Sequence, residues 1–112
     1  MAMLVDVTDS TFEDEVLRSE VPVMLDLWAE WCEPCKKLEL SVEKIAGKYE
    51  GKIKICRMDV SCNPRTVAQY HVMNLPTLLF IRSGEVVGQH VGSAKPTDLT
   101  RKIEGHLGIA SA

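Results

Sequence analysis

Two cysteines separated by two residues, in Cys32-Glu33-Pro34-Cys35, are the most chemically suggestive spacing in this sequence. They follow a near-continuous apolar run, Pro22 to Ala29, and precede a segment whose apolar residues recur every three or four positions. A dithiol at such a strand-to-helix junction, beside a βαβ pattern, points to thiol–disulfide exchange. Open α/β sheets place their sites at the carboxyl ends of strands. Unpaired N–H groups and the positive end of the helix dipole favour a thiolate there, and the thiolate is the nucleophile. Cys32, at the helix N-terminus, is expected to be partly exposed and to attack a substrate disulfide. Cys35 lies one turn on, on the buried stripe, within reach of a disulfide to Cys32. Its expected role is to attack Cys32 in the mixed disulfide and release the reduced substrate. Pro34 suits the first helical turn, where a missing N–H costs no hydrogen bond.

Asp26 is the only acid in the apolar run Val23-Met24-Leu25-Asp26-Leu27-Trp28. Desolvation there favours the protonated carboxyl, which could exchange a proton with the Cys35 thiol. Pro76 precedes another apolar run, a position that suits a strand start or a cis turn. Cys56 sits in an apolar segment and reads as a small buried hydrophobe, whereas Cys62 reads as exposed. Zinc held by all four cysteines would favour two close pairs, and Cys56 and Cys62 are too far apart for that. No metal is expected. His71, His90 and His106 are read as surface residues, Trp28 as core beside the dithiol, and Trp31 as exposed.

These residues need a sheet to position them. Met3 to Val7 reads as a strand. Ser10-Thr11-Phe12-Glu13 fits a capping box opening a helix to about Ser19. Pro22 to Ala29 reads as a strand buried on both faces. The helix from Pro34 to Tyr49 carries the stripe Cys35, Leu38, Val42, Ile45, Ala46 and Tyr49. Lys52 to Val60 alternates as a strand. Asn63-Pro64 marks a cap and start for a short helix to Tyr70. Pro76 to Ile81 turns at Ser83-Gly84 and returns through Glu85 to Val91 as an antiparallel hairpin. Pro96 opens a final helix burying Leu99, Ile103 and Leu107, and a frayed tail from Gly108 to Ala112 is expected. The order β-α-β-α-β-α-β-β-α implies a mixed sheet, parallel early and antiparallel late, with helices on both faces.

The chain has 112 residues, 46% of them apolar and 26% charged, which suits one soluble domain over residues 1–112. A net charge of -3 argues against binding nucleic acid or a membrane surface. No apolar stretch is long enough to span a bilayer. Met1 to Asp6 shows no basic region followed by an apolar run, so no secretion signal is read.

Asp26, Trp28-Ala-Glu-Trp-Cys32, Pro34-Cys35-Lys36, Asp59, Leu75-Pro76-Thr77, Gly84 and Val91-Gly92 together resemble the thioredoxin family over nearly the whole length. The resemblance implies the thioredoxin fold, a five-stranded mixed β-sheet flanked by four α-helices, with a cis peptide before Pro76. It implies a shallow peptide groove of Trp31, Pro34, Leu75, Pro76, Val91 and Gly92, and a proton-transfer role for Asp26. It also implies a protein-disulfide reductase that needs no cofactor beyond its redox-active Cys32–Cys35 pair. Its partners would be a thioredoxin reductase drawing on NADPH and disulfide-containing proteins. A cytoplasmic monomer is expected.

Three positions depart from the family pattern. Glu33 stands where Gly is usual and should oppose the Cys32 thiolate, making the dithiol more reducing; it also lines the groove. Arg57 stands where a Lys commonly accompanies the buried Asp, which alters the surroundings of Asp26. Leu40 replaces a helix-kinking Pro, so the long helix should be straighter. Two other readings remain open: a disulfide oxidase or isomerase, and a redox-independent binding module using the groove between Trp31 and Pro76.

Overall fold

The computed structural model describes residues 4–109. Five strands form one sheet: β1 (Val5–Asp6), β2 (Val23–Trp28), β3 (Lys54–Asp59), β4 (Thr77–Arg82) and β5 (Glu85–Val91). Their order across it is β1-β3-β2-β4-β5. The β1–β3 and β3–β2 pairs are parallel, and β2–β4 and β4–β5 are antiparallel. Three α-helices, α1 (Glu33–Ala46), α2 (Pro64–Gln69) and α3 (Pro96–Leu107), and a π-helical segment, Glu13–Leu17, surround it. This is the mixed sheet with four helices that the residue pattern and the family resemblance imply. Met3, expected at the start of the first strand, and residues 110–112 of the tail lie outside the described residues.

Strand β2 runs down the middle of the sheet, and its side chains alternate between two cores. Met24 faces Leu38, Val42 and Ile45 of α1 and Leu99 and Ile103 of α3. Val23, Leu25 and Leu27 face the other way, toward Phe12, Val16, Cys56 and Met58. Strand β4 alternates likewise, with Leu78 and Phe80 in the first core and Leu79 and Ile81 in the second. Asp26, two residues after Met24, therefore lies on the α1 face. Helix α1 buries the expected stripe, and Gly47–Tyr49 continues it as a 3-10 turn.

Three sequence readings are corrected. The capping box at Ser10 does not form; Thr8 and Thr11 bond to each other instead, Thr8 N donating to Thr11 Oγ1 at 2.9 Å. The following turn is π-type, with Arg18 N donating to Glu13 O at 2.9 Å. Asn63 does not cap α2 with its side chain, which accepts from Asp9 N and donates to Asp59 O. The cap arrives from a distant segment: the Asp9 carboxylate accepts from Arg65 N at 3.0 Å and Thr66 N at 2.9 Å. That satisfies the orphan donors of the helix start as a local cap would.

His106 is not a plain surface residue. Its ring stacks on Phe80 at 4.9 Å between centroids, beneath the β5 residue Gly88. The β4–β5 turn uses positive φ at Ser83 and Gly84, which matches the twist of a tight hairpin. A bulge between Phe80 and Ile81 then sets Gly88 opposite Phe80. A Cβ at Gly88 would overlap the imidazole, 2.6 Å from its Cε1. Gly88→Ala should therefore cost about 1–3 kcal/mol in denaturant unfolding. Most of that cost should vanish when His106→Ala accompanies it, because the clash is then gone. An equal cost in both backgrounds would place the strain elsewhere.

Candidate active site

The carboxyl end of β2 delivers the chain into the dithiol. Cys32 is the N-cap of α1, in extended conformation, and its Sγ accepts from Cys35 N–H at 3.2 Å. The two cysteines form a disulfide across a Cα separation of 5.3 Å. A sulfur that accepts a backbone N–H at a helix N-terminus is placed where negative charge is stabilised once the bond is reduced. Cys32 is not partly exposed as expected: both sulfur residues are 4% exposed. The disulfide draws Cys32 against Cys35 and Ala29, and Trp28, Val60 and Leu75 pack around that cluster.

Asp26 is 2% exposed, and no donor among the described residues reaches its Oδ1. Burial pushes its carboxyl up to about 7; the Arg57 charge pulls it down, and Glu39 opposes ionisation. Asp26 and Cys35 line one cavity of about 110 Å³. Its other walls come from Trp28, Ala29, Glu30, Lys36, Glu39 and Arg57. In β-register Arg57 stands directly opposite Asp26. Its guanidinium nevertheless pairs with Glu39 at 2.7 Å and reaches Asp6 at 4.0 Å. It lies over the Trp28 ring, 4.7 Å from the centroid. Trp28, expected in the core, is half-buried, because its ring forms the floor under this cation.

Trp31 is 74% exposed, and Pro34 and Glu33 are exposed with it. Glu33 pairs with Lys36 at 3.3 Å, so solvent and a neighbouring cation screen the repulsion expected between Glu33 and the Cys32 thiolate. The peptide between Leu75 and Pro76 is cis. Leu75 packs on the dithiol cluster, and Pro76 is buried, its carbonyl accepting from Gly92 N at 2.9 Å. Thr77 pairs with Val91, which is half-exposed, so Leu75, Pro76, Val91 and Gly92 are drawn together.

Two residues escaped the sequence reading. Met73 is 87% exposed and lines, with Val91 and Gln89, a cavity of about 180 Å³ beside that strand end. An apolar residue three positions before Pro76, in a loop, was its only signal. Glu39 lies four residues after Cys35, on the same helix face, but its partner Arg57 comes from another strand. Cys56 is buried, which pushes its thiol up to about 12, and Cys62 is exposed. Among the described residues no three His, Cys, Asp or Glu side chains converge on a position that could hold a metal ion. No helix among them is long and apolar enough to cross a membrane.

The thioredoxin family model matches residues 3–105. The chain is 43% identical over 107 residues to thioredoxin 1 of Nostoc sp., covering 96% of this chain and 100% of that relative. It is 39% identical over 107 residues to the thioredoxin of Haemophilus influenzae, again covering 96% and 100%. It is 36% identical over 104 residues to the thioredoxin of Pseudomonas aeruginosa, covering 93% and 96%. Fold and dithiol define a thiol–disulfide oxidoreductase. The chain belongs to the thioredoxin family.

Proposed function

We propose that this protein works as a protein-disulfide reductase, with Cys32 attacking, Cys35 resolving and Asp26 moving the proton. The carrying observation is the asymmetry of the pair: Cys32 caps the helix and accepts its N–H, while Cys35 sits one turn inside, on the cavity of Asp26. In the reduced protein the Cys32 thiolate attacks a substrate disulfide, forming a mixed disulfide and expelling one substrate thiolate. Asp26 carboxylate takes the Cys35 proton. The Cys35 thiolate then attacks Cys32 Sγ, closing the ring disulfide and expelling the second thiolate. Both leaving thiolates are protonated, one proton coming from Asp26. A base poised near neutral pH suits this step.

The exposed Trp31 and Pro34, with Leu75, Pro76, Val91 and Gly92, are assigned to substrate peptide binding; Glu33 lies at their edge, and Trp28 and Arg57 support the dithiol. The partners are disulfide-containing proteins and a thioredoxin reductase that restores the dithiol. The protein acts as one domain and a monomer, in a reducing compartment such as the cytoplasm. No bound cofactor enters this scheme.

The test is a redox titration of tryptophan fluorescence against a dithiol buffer, repeated with Cys32→Ser, since Trp28 and Trp31 flank the pair. One two-electron transition, more reducing than glutathione and absent in the variant, is expected. A transition at an oxidising potential would instead assign the protein to oxidation or isomerisation. Biological activity retained by Cys32→Ser would assign it to redox-independent binding.

A further inference from the structure

Three polar atoms around the cavity beside the dithiol have no partner among the described residues: Asp26 Oδ1, Trp28 Nε1 and Arg57 Nε. The cavity they share holds about 110 Å³, room for water. Arg57 stands in register with Asp26, the position from which a cation would neutralise the acid. It does not do so. Glu39 accepts from Nη2 of Arg57 at 2.7 Å on one side, and the Trp28 ring lies under the guanidinium on the other.

We propose that Glu39 is a positioning residue for proton transfer at Asp26. Its carboxylate restrains the Arg57 guanidinium and partly cancels its charge, so that the buried Asp26 carboxylate stays basic enough to take the Cys35 proton. Without Glu39, Arg57 would be free to turn toward the unpartnered Asp26 Oδ1 and trap Asp26 as a carboxylate in an ion pair. The carboxylate would then be a weaker base toward Cys35. The charged groups around Asp26 are Lys36 and Glu39 from α1, Glu30 from the loop before it, and Arg57 from β3. Glu39 is the one that both touches Arg57 and opposes ionisation of Asp26. Glu39 is only part-buried, 32% exposed at its side chain, so uncharged replacements at this position leave the core intact.

This inference rests on the proton-transfer reading of Asp26, and the experiment keeps the two apart. The Asp26 carboxyl carbon is followed by NMR across neutral pH in the native protein, Glu39→Gln and Glu39→Ala. Glu39→Gln keeps a hydrogen bond to Arg57 and removes only the charge; Glu39→Ala also releases the guanidinium. The Asp26 titration should move to lower pH by about half a unit in Glu39→Gln, roughly threefold in ionisation constant, and further in Glu39→Ala. The pH profile of substrate-disulfide reduction should move with it. An unmoved or upward-moving titration in either folded variant would overturn the role of Glu39, whatever Asp26 does in catalysis. A titration that moves while the pH profile stays still would uphold the Glu39–Arg57–Asp26 linkage and remove Asp26 from the proton-transfer step.

Discussion

Cys35→Ser is expected to arrest the protein as covalent adducts with its disulfide substrates, and Cys32→Ser to form none. In Cys35→Ser the sulfur at the N-cap of α1 remains, where the helix dipole and the Cys35-position N–H support a thiolate. It can still open a substrate disulfide. Serine in place of the second thiol cannot attack Cys32 Sγ, so the mixed disulfide persists until an external thiol cleaves it. Turnover should fall to the uncatalysed background in both variants, while adducts visible by non-reducing electrophoresis and mass spectrometry accumulate in one alone. Burial does not discriminate the two residues, both 4% exposed in the disulfide form. The discriminating features are position along the helix and neighbours: Trp31 and Glu33 beside Cys32 are exposed, whereas Cys35 adjoins the cavity of Asp26. Adducts forming on Cys35 in Cys32→Ser would reverse the assignment.

Asp26→Asn should stabilise the disulfide form by an amount that depends strongly on pH. The carboxyl is raised from 3.8 to about 7 by burial. Below 3.8 it is protonated folded and unfolded, and contributes no pH-dependent penalty. As pH rises from there to about 7, the unfolded chain ionises freely while the folded one is held protonated, so folding stability falls. Above that range the penalty is complete, on the order of 4 kcal/mol for a shift of this size. Asparagine resembles the protonated acid in volume and is never charged. The gain from Asp26→Asn in guanidinium unfolding should therefore be near zero in acid and reach about 4 kcal/mol in mildly alkaline buffer. A gain equal at every pH would mean that ionisation of Asp26 carries no cost. The same substitution should slow resolution of the mixed disulfide, the exchange of stability for function that a buried titratable group represents.

The features legible in the residues alone are local. The Cys-x-x-Cys spacing, the apolar run before it and the helical stripe after it place the dithiol at a strand-to-helix junction, because each signal acts over a few residues. The Ser83-Gly84 hairpin, the Pro96 helix start and the isolation of Asp26 in an apolar strand were legible for the same reason. The family resemblance added the cis peptide at Pro76, which no local pattern required.

Tertiary structure decided the rest, because segments about 20 to more than 50 residues apart had to meet. Strand β3 inserts between β1 and β2, which puts Arg57 opposite Asp26. Asp9, not Asn63, caps α2, because the turn after β1 reaches that helix start. His106 fills the space left by Gly88. Cys32 is closed off by Leu75 and Val60. Glu39 was unreadable as part of the site because a surface acid on a helix becomes a partner only when a particular cation is brought beneath it. Residue types and short spacings state which groups can react; their protonation depends on charges that only the packed chain places around them.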